Sequence, residues 1–475
     1  MQKNKSQNRF QKAVALSTLL SLGLTGTQEL NAADWLMLQG AQPEVVAPKG
    51  VKVPYRRKTP KLWGFTQVNY KNDMGDILIP GAGGNKGKTL TPFSLLGPDL
   101  EGQSGFNVFR TRLALRGMAD NQNLVNYFFM TEFGNNAINN FGGHRNAATY
   151  FSDASITLKH IPYAKLRVGM FKTPGSEEGL QAVFVSPYIE FTAMSNQQLL
   201  ERKVTHVGAA QKGGQAGGAA TTHYTSTSFE QPIGAYRDNG IQIFDTVPIM
   251  DTWAVTYAYM YGNGNGISLK TSDEQKTHYG YLAFENNFNQ KRGYYHESVK
   301  LFGWVQNGRR TLLSNNGVDA HVAKIEANRK RSGLGMTYYR KGLRFEAEYM
   351  MAKGMIFTGA KDTDTDPLLT NWQVQFAVGE ENEADGGYVN LQYEIVPKKF
   401  EVFGRYDKLN RLINSEKGRR DFETTTLGCS YRFRGPTRVD FNYAFRDIKA
   451  PGNGNAQKVV DNVGDRAMIQ FTAAF

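Results

Sequence analysis

Apolar and polar residues alternate one by one along many stretches of the chain, which is the pattern of a strand with one apolar and one polar face. The stretch 343–351 has apolar side chains at every odd position and Arg344, Glu346 and Glu348 at three even ones. The alternation predicts about sixteen strands, at roughly 61–70, 106–117, 123–133, 149–160, 163–172, 238–245, 252–261, 278–287, 298–306, 332–340, 343–353, 386–396, 399–407, 422–433, 437–446 and 466–475.

The connections between these strands alternate in length. Those after even-numbered strands are short, such as 118–122, 161–162 and 397–398. Those after odd-numbered strands are long, at 71–105, 134–148, 173–237, 262–277, 307–331, 354–385, 408–421 and 447–465. Tight turns on one side and long loops on the other are typical of outer-membrane barrels. The sequence therefore predicts an all-β fold, a transmembrane antiparallel β-barrel of about sixteen strands with both termini on the periplasmic side.

The stretch 466–475 shows the same pattern at the end of the sequence. Its odd positions from Ala467 to Phe475 are apolar, and ten alternating residues have the length that crosses an outer membrane. A terminal aromatic residue on the apolar face resembles the assembly signal of bacterial outer-membrane barrels. An edge strand of a soluble sandwich would look the same, so the other strands decide between the two interpretations.

The third long connection, at 173–237, has 65 residues. This is too long for a plain connection, and loops of this length usually have a function. Sixteen strands leave an aqueous channel, whereas eight would be filled by side chains. We therefore expect a pore, narrowed by a third external loop that folds into the lumen.

Composition excludes several other classes of protein. The mean hydropathy of −0.47 excludes a helical membrane protein, and 29 Phe, 23 Tyr and 5 Trp argue against disorder. Cys429 is the only cysteine, so the chain can form no internal disulfide framework, Cys-Cys zinc site or CxxCH haem attachment.

The N-terminal region reads as a secretory signal peptide. Lys3, Lys5, Arg9 and Lys12 precede an apolar run at 13–24, and small residues follow at 31–33, so we expect cleavage after Ala33. A buried helix of the mature fold is the alternative. We interpret 1–33 as the signal peptide, 34–60, with four prolines, as a periplasmic N-terminal lead, and 61–475 as the barrel. The expected location is the outer membrane of a Gram-negative cell.

Charge suggests what the pore conducts. The chain has 56 Lys and Arg against 43 Asp and Glu. On the second strand, Arg110, Arg112 and Arg116 oppose the face that carries Phe109, Thr111, Leu113 and Leu115. The other predicted basic residues of the lumen are Lys165, Arg167, Lys172, Arg405, Arg432, Arg438 and Arg446. The guanidinium group suits oxyanions, and rings of such side chains select anions.

Acidic residues leave a second interpretation open. Glu132, Asp153, Glu346, Glu348, Glu401 and Asp407 also point inward, so the lumen could be a mixed-charge wall with internal salt bridges. Three acids of the third loop, Glu177, Glu178 and Glu190, could face a basic wall across the constriction and create a transverse field.

Several segments resemble one family, the phosphate-selective porin O and P family. They are 109–117 (FRTRLALRG), 166–174 (LRVGMFKTP) with EEGL at 177–180, YRDNGIQI at 236–243, and 388–406 with the triplet Arg405-Tyr406-Asp407. The resemblance covers about residues 61–475. It implies a sixteen-stranded, trimeric, often anion-preferring porin, and it suggests Arg110, Arg112, Arg116, Lys165, Arg167 and Lys172 for the arginine ladder and lysine cluster of that family.

Rival functions fit the sequence less well. None of the seven histidines sits in a recognisable Ser/His pattern, so we expect no enzyme, cofactor or metal site. The barrel sheath of a porin–cytochrome electron conduit would need an unobstructed lumen, which the third loop argues against. A general non-selective porin stays possible. We expect outer-membrane lipid, a homotrimer and small anionic solutes as partners, and no nucleic acid.

Overall fold

The computed structural model describes residues 60–79, 81, 86–87, 89, 104–120, 124–134, 150–200, 202–203, 206–207, 223–226, 231–232, 236–268, 274–289, 296–315, 322–357, 376–379, 382–435 and 437–475. The expected signal peptide at 1–33 and the expected lead at 34–60, apart from Pro60, lie outside these residues. Within the described ranges, no helix is long and apolar enough to cross a membrane.

Sixteen antiparallel strands form a closed barrel in the part of the chain that the structure describes. They are β1 Lys61–Asp73, β2 Gly105–Met118, β3 Val125–Phe133, β4 Tyr150–Leu158, β5 Lys165–Lys172, β6 Arg237–Pro248, β7 Trp253–Gly262, β8 Thr277–Asn287, β9 Ser298–Asn315, β10 Val322–Arg340, β11 Leu343–Lys353, β12 Glu383–Val396, β13 Phe400–Arg411, β14 Arg420–Arg434, β15 Thr437–Lys449 and β16 Arg466–Ala474. β16 pairs with β1 from Ala474 opposite Phe65 to Arg466 opposite Asp73, which closes the barrel. The predicted fold class is confirmed.

The two faces of each strand have opposite character, as β14 shows. Its outward-facing Leu427, Tyr431 and Phe433 are 52%, 44% and 60% exposed, whereas the inward-facing Ser430 and Arg432 are buried. Exposed apolar side chains recur around the outer wall, for example Leu301 on β9 and Leu334 on β10. Soluble monomers rarely expose an apolar surface this extensive, and around the outside of a closed barrel it indicates contact with the hydrocarbon of a membrane.

One predicted long loop is wrong. The connection expected at 307–331 is short, because β9 and β10 continue as a paired hairpin to Asn315 and Val322. The extension lacks alternation because its outer face carries charges: Arg309 and Glu326 form an exposed ion pair at 3.1 Å. Strands that rise beyond the hydrocarbon need no apolar face, so the pattern that marks the other strands is absent there.

The predicted face of Phe109 is also wrong. Gln67 of β1 pairs with Arg110, but Val68 pairs with Val108, so Phe109 is the extra residue of a β-bulge. The bulge turns Phe109 inward, where its ring is 4% exposed and packs with Ile189, Ala444 and Met468. The alternation of the sequence cannot show such a shift, because one inserted residue changes the facing of the residues before it.

The third external loop folds into the lumen, as predicted. Its described part at 173–200, which we call the inward segment, includes α1 Glu177–Leu180 and a π-helical turn at Ser195–Leu199. Leu180, Ala182 and Phe184 of this segment belong to an apolar core inside the barrel, together with Phe302 and Trp304 of β9. The low-complexity stretch at 211–220 lies outside the described residues.

Short elements complete the described structure. α2, Gly454–Val460, lies between β15 and β16. Ile356–Phe357, Phe376–Gly379 and His223–Ser226 form a small three-stranded sheet. Arg202–Lys203 pairs with Gln231–Pro232, and His206–Val207 runs parallel to the end of β9.

Candidate functional site

The inward segment begins where β5 ends. Lys172, the last residue of β5, points inward and donates hydrogen bonds to the carbonyl oxygens of Gly179 at 2.6 Å and Gln181 at 2.9 Å. A cation at the C-terminal end of this single helical turn satisfies carbonyls that have no partner within the helix. Lys172 therefore acts as a structural support of the loop.

A group of acidic and aromatic side chains, which we call the acidic clasp, holds the start of the segment against β9, β11 and β12. Glu348 accepts hydrogen bonds from Trp304 Nε1 at 2.6 Å and from the Ser176 hydroxyl at 2.9 Å. Glu346 accepts one from Gln181 Nε2 at 2.6 Å. The Tyr388 hydroxyl lies between the two carboxylates and contacts both. The donors come from loop and wall alike, so the clasp ties one to the other.

The opposite side of the segment is fastened through its backbone. Arg438 of β15 donates to the carbonyl oxygen of Val185 at 2.9 Å and also to that of Ser186. Asn442 accepts from the Ile189 amide at 3.2 Å and donates to the Pro187 carbonyl at 3.1 Å. Backbone groups removed from water need such partners, and the lumen wall supplies them.

The three predicted loop acids all meet basic residues. Glu177 pairs with Lys300 at 2.8 Å and Glu178 with Arg405 at 3.1 Å. Glu190 pairs with Lys71 at 2.7 Å and with Arg466 at 2.8 Å. Burial raises the pKa of Glu190, but the charges of Arg466 and Lys71 outweigh burial and hold its pKa below the ordinary value.

Most of the predicted basic residues lie inside the barrel with carboxylate partners. The pairs are Arg112–Glu132 and Lys165–Asp245 at 2.6 Å, Arg432–Glu401 at 2.7 Å, Arg438–Asp440 and Arg446–Asp73 at 2.8 Å, and Arg405–Glu178 at 3.1 Å. Arg167 donates to the Thr157 hydroxyl at 3.2 Å and lies over the Phe244 ring, and Arg116 is half-buried near the periplasmic end of β2. These contacts match the interpretation as a mixed-charge wall with internal salt bridges.

Arg110 differs from its neighbours. It is 4% exposed, like Arg112, yet among the described residues it has no ion pair. Its guanidinium donates two long hydrogen bonds, to Gln67 Oε1 at 3.3 Å and to the Ile189 carbonyl at 3.4 Å, and its Nε has no hydrogen-bond partner. The rings of Phe109 and Phe191 lie 4.0 and 5.2 Å from it. This cation therefore has donors available to a ligand.

The buried charges do not balance. Among the described residues, sixteen Lys and Arg side chains are buried against eleven Asp and Glu. Thirteen of the sixteen are arginines, which stay charged at every relevant pH. The interior therefore carries a positive excess in addition to its paired charges.

Besides a cavity of about 20 Å³ beside Thr173 and Leu199 at its two ends, two described cavities adjoin the inward segment. One, of about 120 Å³, lies between the segment and β8–β12; we call it the vestibule. Lys300, Arg344, Thr337 and His296 are among the residues that line it. The other, of about 10 Å³, lies against the segment itself, beside Arg110, Glu178 and Glu190; we call it the gap. Gln181, Ala182 and Ser186 line both cavities, so the gap adjoins the vestibule.

The sequence analysis missed several residues that shape this site. Lys71 lies one position beyond the predicted end of the first strand, and Lys300 and Arg344 are inward positions of correctly predicted strands. The alternation of these two strands already indicates that Lys300 and Arg344 point into the lumen. The partnership of Tyr388 with Glu346 and Glu348 had no signal in the sequence, because it depends on the register of β11 against β12.

Comparisons with known proteins give structural likenesses alone. Neither the protein-family models nor the curated proteins include a match to the chain. The solved structures that it resembles include OmpF of Salmonella typhi in complex with daunomycin, with 13% identity, a TM-score of 0.49 and coverage of 88% of this chain and 97% of that one. OmpT of Vibrio cholerae in a trimer form has 13% identity, a TM-score of 0.44 and coverage of 88% and 99%. The outer membrane channel DcaP of Acinetobacter baumannii has 11% identity, a TM-score of 0.44 and coverage of 88% and 97%.

The chain is an outer-membrane β-barrel. The closed strand pairing and the apolar outer face support this assignment. A barrel of sixteen strands is wide enough for an aqueous channel, so its inner face and the inward segment form the candidate functional site.

Proposed function

We propose that the protein is a porin, a water-filled channel for the passive diffusion of small solutes, and that it prefers anions. The observation that carries the proposal is the excess of buried basic side chains, sixteen against eleven in the described residues, in a sixteen-stranded barrel that its own loop narrows. A unit charge interacts with another 4 Å away by about 1 kcal/mol in bulk water and more at a lower effective dielectric. A few uncompensated cations in a narrow pore are therefore enough to favour anions.

A general non-selective porin is the second candidate. The ion pairs of the wall favour it, since Arg112–Glu132, Arg432–Glu401 and Arg438–Asp440 present little net charge to a solute. The two candidates predict the same barrel and the same conductance pathway, and differ in the sign and size of the zero-current potential.

The sheath of an electron conduit has less support. The inward segment, held by the acidic clasp and by Arg438, occupies space that a partner cytochrome would need. The contacts on both sides of the segment make it an integral part of the barrel interior.

Three further expectations from the sequence belong to this proposal. They are cleavage of a signal peptide after Ala33, membership of the phosphate-selective porin O and P family, and assembly as a homotrimer. N-terminal sequencing of the protein from outer membranes tests the first. Native mass spectrometry in detergent tests the third: trimers are expected, and monomers at every concentration would contradict it.

Reconstitution of the purified protein into planar lipid bilayers tests the pore and its selectivity together. We expect stepwise conductance increments and, in a KCl gradient, a zero-current potential of the sign that chloride preference produces. Screening by salt should weaken the preference at high ionic strength. Steps with no selectivity would favour the general porin, and a lack of steps from correctly folded barrels would contradict a pore of either kind.

A further inference from the structure

The vestibule lies on the periplasmic side of the inward segment. Its lining includes His296 and Ser298 beside the β8–β9 turn, and Tyr339 and Arg344 beside the β10–β11 turn. Both turns follow even-numbered strands and therefore lie at the periplasmic end of the barrel. The volume of about 120 Å³ is several times the roughly 10–15 Å³ that one water molecule needs, so the vestibule has room for the few heavy atoms of a small organic solute.

Acidic and basic side chains alternate along one row of the vestibule wall. Glu285 of β8 lies opposite Lys300 of β9. Thr337 of β10 separates Lys300 from Glu346 of β11. Directly opposite residues of neighbouring strands have their Cβ atoms about 4.5–5.5 Å apart. The wall therefore presents charges of both signs close together, whereas a site for simple anions needs only positive charge.

The acidic end of this row is the carboxylate of Glu285. The Ser298 hydroxyl donates to its Oε1 at 2.5 Å, and His296 Nε2 lies 3.2 Å from the same oxygen. The hydrogen bonds that the described residues give to this carboxylate both end on Oε1, and the side chain is 16% exposed. Oε2 can therefore accept a hydrogen bond from a solute while Ser298 and His296 hold the carboxylate in place.

Lys300 and Arg344 supply the positive charge. Lys300 pairs with Glu177 at 2.8 Å, and its side chain is 14% exposed. The guanidinium of half-buried Arg344 lies 3.6 Å from the centre of the Tyr339 ring, which holds it against β10. A stacked guanidinium keeps the N–H groups at its edge in the fork geometry that suits a carboxylate. Because Arg344 covers the Tyr339 ring, the vestibule offers charged groups to a solute in place of a bare aromatic face.

We propose that the vestibule binds small zwitterions of the size of glycine or alanine. The ammonium group of the solute donates to Glu285, and its carboxylate accepts from Arg344 and Lys300. A simple anion would meet the carboxylates of the same cavity, and a simple cation would meet Lys300 and Arg344. A solute that carries both charges interacts favourably with both sets. The inference goes beyond the proposed porin function, which supplies only the route by which such solutes arrive.

Three solutes of nearly equal size test the proposal. Alanine carries both charges, propionate lacks the ammonium group, and ethylammonium lacks the carboxylate. Single channels are recorded at about pH 8, where histidine is ordinarily neutral, with each solute added at constant ionic strength to either side of the bilayer. We expect alanine to reduce the conductance at about fivefold lower concentration than either of the others, the effect of one unit charge near its partner in watery surroundings.

Variants remove the two halves of the site one at a time. In Glu285→Gln the amide oxygen can still accept from Ser298, so we expect the fold to persist and the effective alanine concentration to rise about fivefold, with propionate unweakened. Arg344→Gln should weaken alanine to a similar extent and leave ethylammonium unweakened. Glu423→Gln, which removes an acid that pairs with Lys408 on the outer face of the barrel, is the matched control and should leave alanine unchanged.

Ligand-detected NMR on the protein in detergent separates this inference from the porin function, because it needs no conduction. If folded barrels do not conduct but bind alanine more tightly than propionate, the porin proposal fails and the zwitterion site stands. Equal effects of alanine and propionate would show a plain anion site, and no effect of any solute would show a cavity without a ligand; either result overturns the proposal. Equal weakening of alanine by Glu423→Gln and Glu285→Gln would also overturn it. Should a variant not fold, the three solutes on the parent protein decide the question.

Discussion

Arginine has different surroundings in two regions of the lumen. One is the wall in which buried arginines form ion pairs, which we call the paired wall, and the other is the gap beside Arg110. In the paired wall, Arg112, Arg432 and Arg438 each bind a buried carboxylate. At the gap, Arg110 faces two acids that other cations already hold. The number of arginines in a lumen therefore says less about selectivity than the number without a carboxylate partner. Variants that change one of these regions and leave the other intact test this difference.

The largest expected effect is the loss of Arg438 from the paired wall. Arg438→Ala leaves Asp440 buried and removes two donors to the inward segment. Breaking a buried ion pair on one side typically costs about 3–5 kcal/mol. We expect denaturant unfolding in detergent to show a loss of this order. Lys449→Ala, which removes an exposed pair with Asp447, is the control and should change little.

Removing a hydroxyl group from the acidic clasp should lower the stability less than the loss of Arg438 does. Tyr388→Phe removes the hydroxyl that contacts both Glu346 and Glu348, and an unsatisfied buried polar group costs about 1–3 kcal/mol. Because the clasp fastens the inward segment, we also expect larger and noisier single-channel currents. Tyr349→Phe removes an exposed hydroxyl bonded to Asp385 and should leave the currents unchanged. Quiet, parental currents in Tyr388→Phe would show that the clasp does not hold the segment.

The vestibule should matter less for selectivity than the gap. Lys300 and Arg344 line a cavity with room for several water molecules, so their fields are screened more than that of Arg110. We expect Arg344→Gln to lower the anion/cation permeability ratio by about twofold or less, measured as the zero-current potential in a KCl gradient. A much larger drop would place the selective region at the vestibule.

The smallest expected effect is the loss of the stability contribution of Glu190 at low pH. The folded-state pKa of Glu190 lies below the ordinary value of 4.5, so Glu190 stabilises the fold fully above that value and loses this contribution as the pH falls below it. The stability difference between the parent and Glu190→Gln should therefore be constant from neutral pH down to about 5 and shrink in stronger acid. Unfolding midpoints at several pH values measure it, and a difference that grows in acid would contradict the assigned ion pairs.

Sequence reasoning succeeded wherever one physical constraint acts on every residue of a strand. All sixteen strands and the folding of the third loop into the lumen were predicted correctly. The prediction was wrong at the β9–β10 hairpin, which extends beyond the lipid and therefore needs no apolar face there. It was also wrong at Phe109, because a β-bulge turns this residue inward. Charged outward positions remove the alternation from the hairpin extension, and the alternation does not record the residue that is inserted at the bulge.

The barrel follows from the sequence alone, because lipid outside and water inside require opposite faces on each strand, and successive residues of a strand alternate between those faces. Which of the inward charges lack a carboxylate partner follows only from the three-dimensional fold. Arg110 and Arg112 are two positions apart and look alike in the sequence. Strand register brings Glu132 opposite Arg112, and the path of the inward segment brings Ile189 to Arg110. Partners that distant in the chain follow from the closed fold, because the attraction between charges depends on distances in space that no local pattern records.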